Sequence, residues 1–474
     1  MGDLLPDGFR FGVATAGYQA EGGFNLPGGP ANNWARWERS GRAQRSGAAV
    51  GFWDRYEEHM GKAAELGCDA FRFSVEWARC EPEPGRYDRG ALARYADMAR
   101  TARRLGLQPL VTVHHFTHPD WLGEDFWLSD DAVEVYARWA ATVVEHVGDH
   151  CLHWISVNEA NVLAGQSYLS AAFPPGRRVD VSAAARSFDA LMAAAVRGYE
   201  VIHAAQPDAT VAINLLALSV YELDSAPQDI LAARSLGVPR HGLAPWLAER
   251  RKAFYDTQPA AGPWEAALRG MAARAFPAKE AWPRLTDAVY GSAHELCVDA
   301  DGFDFYSPSI ADHARLPGRR TAGGRRWQLG QALWDDEPSP AGLRQRCGRG
   351  DVSGLPVWVV ENGLCNRVRD GRSWPRTDGW TRPRYLRENL GAVVSAVDAG
   401  IPVTAYYHWT LIDNYEWGSY EPRFGLFGAS YGSDNVWMDT DAMGDDAPGA
   451  YRRLIAGLRA GDRSVLDPLP AATG

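Results

Sequence analysis

Residues 356–363 read Pro-Val-Trp-Val-Val-Glu-Asn-Gly. Four apolar side chains run without a break into a glutamate, and Asn-Gly follows at once. A run this apolar suits a strand buried on both faces, where a carboxylate has no water around it. The position of Glu361 at the end of the run, rather than in its middle, is the informative detail. It places the carboxylate where the strand leaves the core.

Seven other short runs share this character: 9–15 (FRFGVAT), 70–77 (AFRFSVEW), 108–116 (QPLVTVHHF), 153–160 (HWISVNEA), 209–218 (ATVAINLLAL), 302–309 (GFDFYSPS) and 402–411 (PVTAYYHWTL). Most are continuously apolar rather than alternating, as in parallel strands covered on both sides. Between them lie helical patterns. In 90–105 apolar side chains fall at Leu92, Tyr95, Met98, Ala99, Ala102 and Leu105, with Gly106 as the stop. In 384–399 they fall at Leu386, Leu390, Val393, Val394 and Val397, with Gly400 as the stop. The spacing and the terminal glycines predict helices. Strand and helix alternating eight times predict a single (β/α)8 barrel, an α/β TIM barrel with long βα loops, over residues 1–474. The long segment 219–300 reads as a helical excursion between the fifth and sixth strands, and the Gly/Arg-rich patch 317–326 as a mobile loop.

A chain of 474 residues can build such a core without staples. Its six cysteines are scattered singly with no Cys-x-x-Cys pair, which argues against a zinc or redox motif and fits a reducing cytoplasm. The N-terminal MGDLLPDGFRFG has no basic-then-apolar leader, and no stretch approaches a membrane span. A formal net charge of −10 argues against nucleic acid and anionic membranes as partners. Nineteen Trp and eighteen Tyr supply aromatic faces for a core or for a ring-shaped ligand.

In (β/α)8 barrels the active site lies at the C-terminal ends of the strands. Glu76, His115, Glu159 and Glu361 all stand at run ends. Glu159 (Ser-Val-Asn-Glu-Ala-Asn) and Glu361 (Val-Val-Glu-Asn-Gly) each follow an apolar run and adjoin an Asn. One such glutamate alone suits a turn cap. Two on matching strand ends suit glycosidic bond cleavage, where one acid protonates the leaving oxygen and the other carboxylate attacks carbon or activates water. The protonated role needs a raised pKa, which a neighbouring carboxylate supplies.

Four stretches together resemble glycoside hydrolase family 1, the β-glucosidase family. They are FRFGVATAGYQAEGG (9–23), WISVNEAN (154–161), VVENG (359–363) and YYHWTLIDNYEWGSYEPRFGLF (406–427). The resemblance implies a retaining β-glycosidase acting on small β-glycosides. Glu361 would be the nucleophile and Glu159 the general acid/base, about 5–5.5 Å apart. Asn158 would hold the sugar 2-hydroxyl, Arg72 would keep Glu361 ionised and Tyr306 would orient it. Gln19, His115, Glu416 and Trp417 would bind the outer hydroxyls, Trp409 would floor the ring, and Phe424 would line the pocket near the 6-position. No metal or organic cofactor is implied. Without the resemblance, His115 better suits a core histidine, and Arg72 suits an ion-pair partner of Glu76, Trp409 and Trp417 core aromatics, and Tyr306 a donor to backbone.

Members that cleave 6-phosphorylated sugars carry Ser and Lys in the last block, where this chain has Tyr415-Glu416-Trp417. A glutamate repels a phosphate dianion, so the expected substrate is unphosphorylated. Three departures stand out: Ala160 for the usual Pro, Phe116 for Trp, and Asp304 for Asn. If ionised, Asp304 adds a third negative charge near the pair. Two further readings stay open on sequence alone: a transglycosidase or natural-product deglycosylase with the same site, and a non-catalytic carbohydrate-binding barrel.

Overall fold

The computed structural model describes residues 4–258, 260, 262–275, 282–306, 338–349, 354–369, 371–431 and 436–468. Eight parallel strands close into a barrel: β1 Arg10–Ala14, β2 Ala70–Ser74, β3 Gln108–His114, β4 His153–Asn158, β5 Thr210–Leu216, β6 Ala300–Phe305, β7 Val357–Asn362 and β8 Val403–Trp409. Neighbours in the barrel follow chain order, and β8 returns to pair with β1. Each expected run holds one strand. The patch 317–326 and residues 307–309 of the sixth run lie outside the described residues.

The runs are continuously apolar because both faces of each strand are covered. Ala70, Leu110, Ile155, Ala212, Trp358 and Ala405 fill the barrel interior. Their sequence neighbours, such as Phe71, Val111, Trp154 and Val359, face the surrounding helices. Small side chains leave room inside for Trp358 and Tyr407, and Gly12 is part of that economy. A Cβ on Gly12 would lie 2.5 Å from the Tyr407 ring, well inside van der Waals contact.

The two helical patterns form Arg89–Arg104 and Arg382–Asp398. Asp88 caps the first by accepting the amide of Ala91 at 3.0 Å, and Thr381 caps the second. Gly106 and Gly400 follow with positive φ (77° and 84°), the conformation that ends a helix. The excursion after β5 carries the helices Tyr221–Asp224, Ala226–Ala232, Leu243–Thr257, Pro263–Ala275 and Pro283–Gly291.

Register aligns the polar strand ends. Asn158 pairs with Asn214, Leu216 with Asp304, and Asp304 with Glu361. The ladder shifts register between Ile155 and Asn158 and between Phe303 and Asp304. Such irregularities re-aim side chains beside sites.

Candidate active site

Glu361 ends β7 buried, and two donors take its two oxygens. Arg72 Nη1 donates to Oε1 at 2.5 Å, and the Tyr306 hydroxyl donates to Oε2 at 2.8 Å. Arg72, fully buried on β2, is itself held on three sides: Nε donates to Thr112 Oγ1 at 3.0 Å, and Nη2 donates to Asn158 Oδ1. The partner of Arg72 is therefore Glu361. Glu76, the alternative raised by sequence, instead accepts the hydroxyl of Thr117 at 2.9 Å.

Glu159 sits where β4 hands over to the helix Ala160–Tyr168. Its backbone is left-handed (φ 37°, ψ 57°). That conformation is costly for a side chain with a Cβ and is found where a scaffold holds a functional group. Asn158 Nδ2 reaches Glu159 Oε2 at 3.4 Å and His115 Nε2 at 3.3 Å. Asn158 Oδ1 accepts from Arg72 and, at 2.7 Å, from Asn214 Nδ2. One oxygen each of Glu159, Asp304 and Glu361 lie within 4.8 Å of one another. That spacing would also admit a cation, but the Arg72 guanidinium already sits on the Glu361 side and would repel one.

The environment separates the carboxyl groups. Burial raises the Glu361 pKa, while Arg72 and Tyr306 pull it back. Burial and the charge of Glu361 raise Glu159 well above the ordinary range, with only weaker opposition from Arg72 and hydrogen bonds. Glu361 is thus the better anion and Glu159 the better acid.

A second group surrounds Glu416. Gln19 Nε2 donates to Glu416 Oε2 at 3.1 Å and to the Tyr415 carbonyl at 2.9 Å, and Trp409 Nε1 donates to Glu416 Oε1 at 3.0 Å. The His115 ring lies nearly parallel to Trp409 and Trp417, with centroids 6.3 and 5.8 Å away. Burial, then Arg72, holds the His115 pKa well below the usual value, so the ring is neutral. Asn158 donates to its Nε2, which assigns the ring proton to Nδ1. His115 Nδ1 and Gln19 Oε1 are buried without a hydrogen-bond partner among the described residues. A donor and an acceptor left in this way suit a polyhydroxylated ligand.

Trp417 packs against Phe116 at 5.1 Å and Trp34 at 4.9 Å, and Phe116 against Phe173 at 5.3 Å. Phe424 meets Tyr306 edge-on at 5.7 Å. The structure thus gathers Arg72, Asn158, Glu159, Tyr306 and Glu361 in one cluster, with His115 joining it to Gln19, Trp409, Glu416 and Trp417. Two supports were not singled out from sequence, Thr112 and Asn214. Each is a polar residue inside an otherwise apolar run, and that interruption was the available signal.

Comparison with known proteins agrees with this geometry. The family model for glycosyl hydrolase family 1 matches residues 1–251 and 268–437. A 6-phospho-beta-galactosidase of Streptococcus equi subsp. zooepidemicus is 27% identical over 454 residues, spanning 89% of this chain and 93% of that protein. Beta-glucosidase A of Thermotoga maritima is 25% identical over 438 residues, spanning 90% and 93%. A solved beta-glucosidase of Thermotoga maritima in complex with noeuromycin superposes with a TM-score of 0.72 at 22% identity, covering 96% of this chain and 99% of that one, and shows the same fold. Barrel, paired carboxylates and relatives together define an O-glycosyl hydrolase. The chain belongs to glycosyl hydrolase family 1, the β-glycosidases. Among the described residues no helix is long and apolar enough to cross a membrane.

Proposed function

We propose that the whole chain serves as one catalytic domain: a retaining β-glycosidase that removes an unphosphorylated terminal β-D-glycose by double displacement. One observation carries the reading. Oxygens of Glu159 and Glu361 approach within 4.8 Å, and of the two it is Glu361 that holds both an arginine and a tyrosine hydroxyl. Direct attack on carbon uses the closer of the two known carboxyl spacings, whereas attack through water needs about 6.5–9.5 Å.

In the first step Glu361 bonds to the anomeric carbon while Glu159 gives its proton to the departing oxygen. In the second, Glu159 takes a proton from water, whose oxygen displaces Glu361 and retains the β configuration. Asn158 receives the 2-hydroxyl. Gln19, His115, Glu416 and Trp417 hold the outer hydroxyls against the floor of Trp409, and Phe424 closes the pocket behind Tyr306.

The polarity of the groups around Glu416 supports a substrate without a phosphate. Both Glu416 oxygens accept hydrogen bonds from Gln19 and Trp409, so the group near the outer hydroxyls offers acceptors rather than a cation. Six cysteines, all buried and unpaired, support a cytoplasmic setting.

The test is a panel of nitrophenyl β-glycosides followed by proton NMR of the first sugar released. The expected product is the β-anomer. A 2-deoxy-2-fluoro glycoside should leave its mass on the peptide containing Glu361, and Glu361→Ala should abolish turnover. First release of the α-anomer, or label on another residue, overturns the reading.

A further inference from the structure

Asp304 stands inside the catalytic cluster with a task still to be assigned. It is fully buried on β6, and only one of its oxygens is served by a donor. Oδ2 accepts the side-chain amide of Asn214, while Oδ1 has no N–H or O–H donor among the described residues. A bare buried carboxylate oxygen is expensive. The groups around it come from several strands: Glu361 from β7, Glu159 after β4, Arg72 from β2, Asn214 from β5 and Tyr306 just past the end of β6. Among these, the one cation, Arg72, is already committed to Glu361 and Asn158, and the hydroxyl of Tyr306 to Glu361.

That leaves Asp304 and Glu159 with oxygens within 4.8 Å of one another and no uncommitted cation among the groups named. The one arrangement that satisfies both is a proton held in common. We propose that Asp304 is a positioning residue for the general acid/base: its free Oδ1 and the carboxyl of Glu159 share a proton, so that the acid/base is a two-carboxyl unit. The inference rests on the reading of Glu159 as the acid/base. Burial and the charges of Glu361 and Glu159 raise Asp304 well above the ordinary carboxyl range, and one oxygen each of Asp304 and Glu159 lie within 4.8 Å of one another.

The chemistry balances within the unit. When Glu159 gives its proton to the leaving oxygen, one O–H bond breaks and one forms. When water is deprotonated, the proton returns to the pair. Removing the last proton leaves two buried like charges face to face, so the unit keeps it to a higher pH than a lone glutamate would.

Asp304→Asn tests this. Asn can still accept from Asn214 through its oxygen and donate to Glu159 through its amide, but it holds no shared proton. With a phenyl β-glycoside of poor leaving ability, the alkaline limb of kcat/KM should move down by about one to two pH units. The shift should shrink with a 2,4-dinitrophenyl glycoside, whose departure needs little protonation. A purely structural role would lower the rate equally at every pH. Independently of turnover, the carboxyl carbon of Glu159 in [5-13C]glutamate-labelled protein, assigned with Glu159→Gln, should titrate at higher pH in wild type than in Asp304→Asn. An unchanged alkaline limb or an unchanged carboxyl midpoint overturns the proposal. If the wild type cleaved no β-glycoside, the functional reading would fall, while the NMR titration would still decide this one.

Discussion

Replacing Arg72 with Met removes the positive charge from Glu361 while keeping most of the side-chain volume. The guanidinium nitrogen lies 2.5 Å from the Glu361 oxygen, and both groups are buried, so bulk solvent screens little. Unit charges centred about 4 Å apart attract by about 4 kcal/mol at an effective dielectric of ~20. Local relaxation reduces that, and about 3 kcal/mol corresponds to roughly two pKa units. The sign follows from the proposed role: Glu361 would have to be ionised to attack, and losing a cation raises its pKa. The acid limb of kcat/KM should therefore move up by about two pH units, with a loss of about 100-fold below it. A 2,4-dinitrophenyl glycoside is the right substrate, because Arg72 also acts on Glu159 and this leaving group bypasses the acid. Circular dichroism before each assay checks that the variant is folded. An acid limb within ~0.3 unit of wild type would refute the claim that Arg72 sets the ionisation of Glu361.

Two other substitutions probe the groups around this centre. Glu76 is buried beside Glu21 with its pKa pushed up to about 8, chiefly by burial and then by that neighbour. Because the folded value is raised, its contribution to stability is present below about pH 4.5 and is lost as pH rises through 8. Glu76→Gln should thus be close to neutral in urea denaturation at pH 5 and stabilising by about 1–4 kcal/mol at pH 8.5; equal effects at both pH values would contradict the assignment. Glu416→Gln keeps the shape but removes a carboxylate whose oxygens hold Gln19 and Trp409. Hydrolysis of the unphosphorylated glycoside should fall at least ~10-fold in kcat/KM. Discrimination against the corresponding 6-phosphoglycoside should narrow, and an unchanged ratio would show that Glu416 does not set it.

The barrel was legible because strands buried on both faces leave an unbroken apolar signature, and most of the eight runs carry it. The buried pair of carboxyl groups was legible because a carboxylate at the end of such a run has to meet something other than hydrocarbon. What local sequence could not separate was Glu76 from Glu361, since both end apolar runs. The difference lies in which way each side chain leaves the barrel rim and which partner waits there, Thr117 for one and Arg72 for the other. Thr112 and Asn214 escaped notice because a single polar residue in a strand is common, and only the register shows that they converge on Arg72 and Asn158. Asp304 was recognisable as unusual, but its unserved oxygen and its closeness to Glu159 depend on three strands meeting.

The two glutamates proposed as the catalytic pair are mounted differently. Glu361 belongs to a ladder clamped by β6 and β8, whereas Glu159 rides on a left-handed hinge that launches the helix Ala160–Tyr168, which leans on the long helix Val181–Ala205. Changes far from the pocket, along the seam between those two helices, can therefore tilt Glu159, the proposed proton donor, while Glu361 stays put. A lineage drifting at that seam would retune which aglycones depart readily long before it lost the ability to seize the sugar.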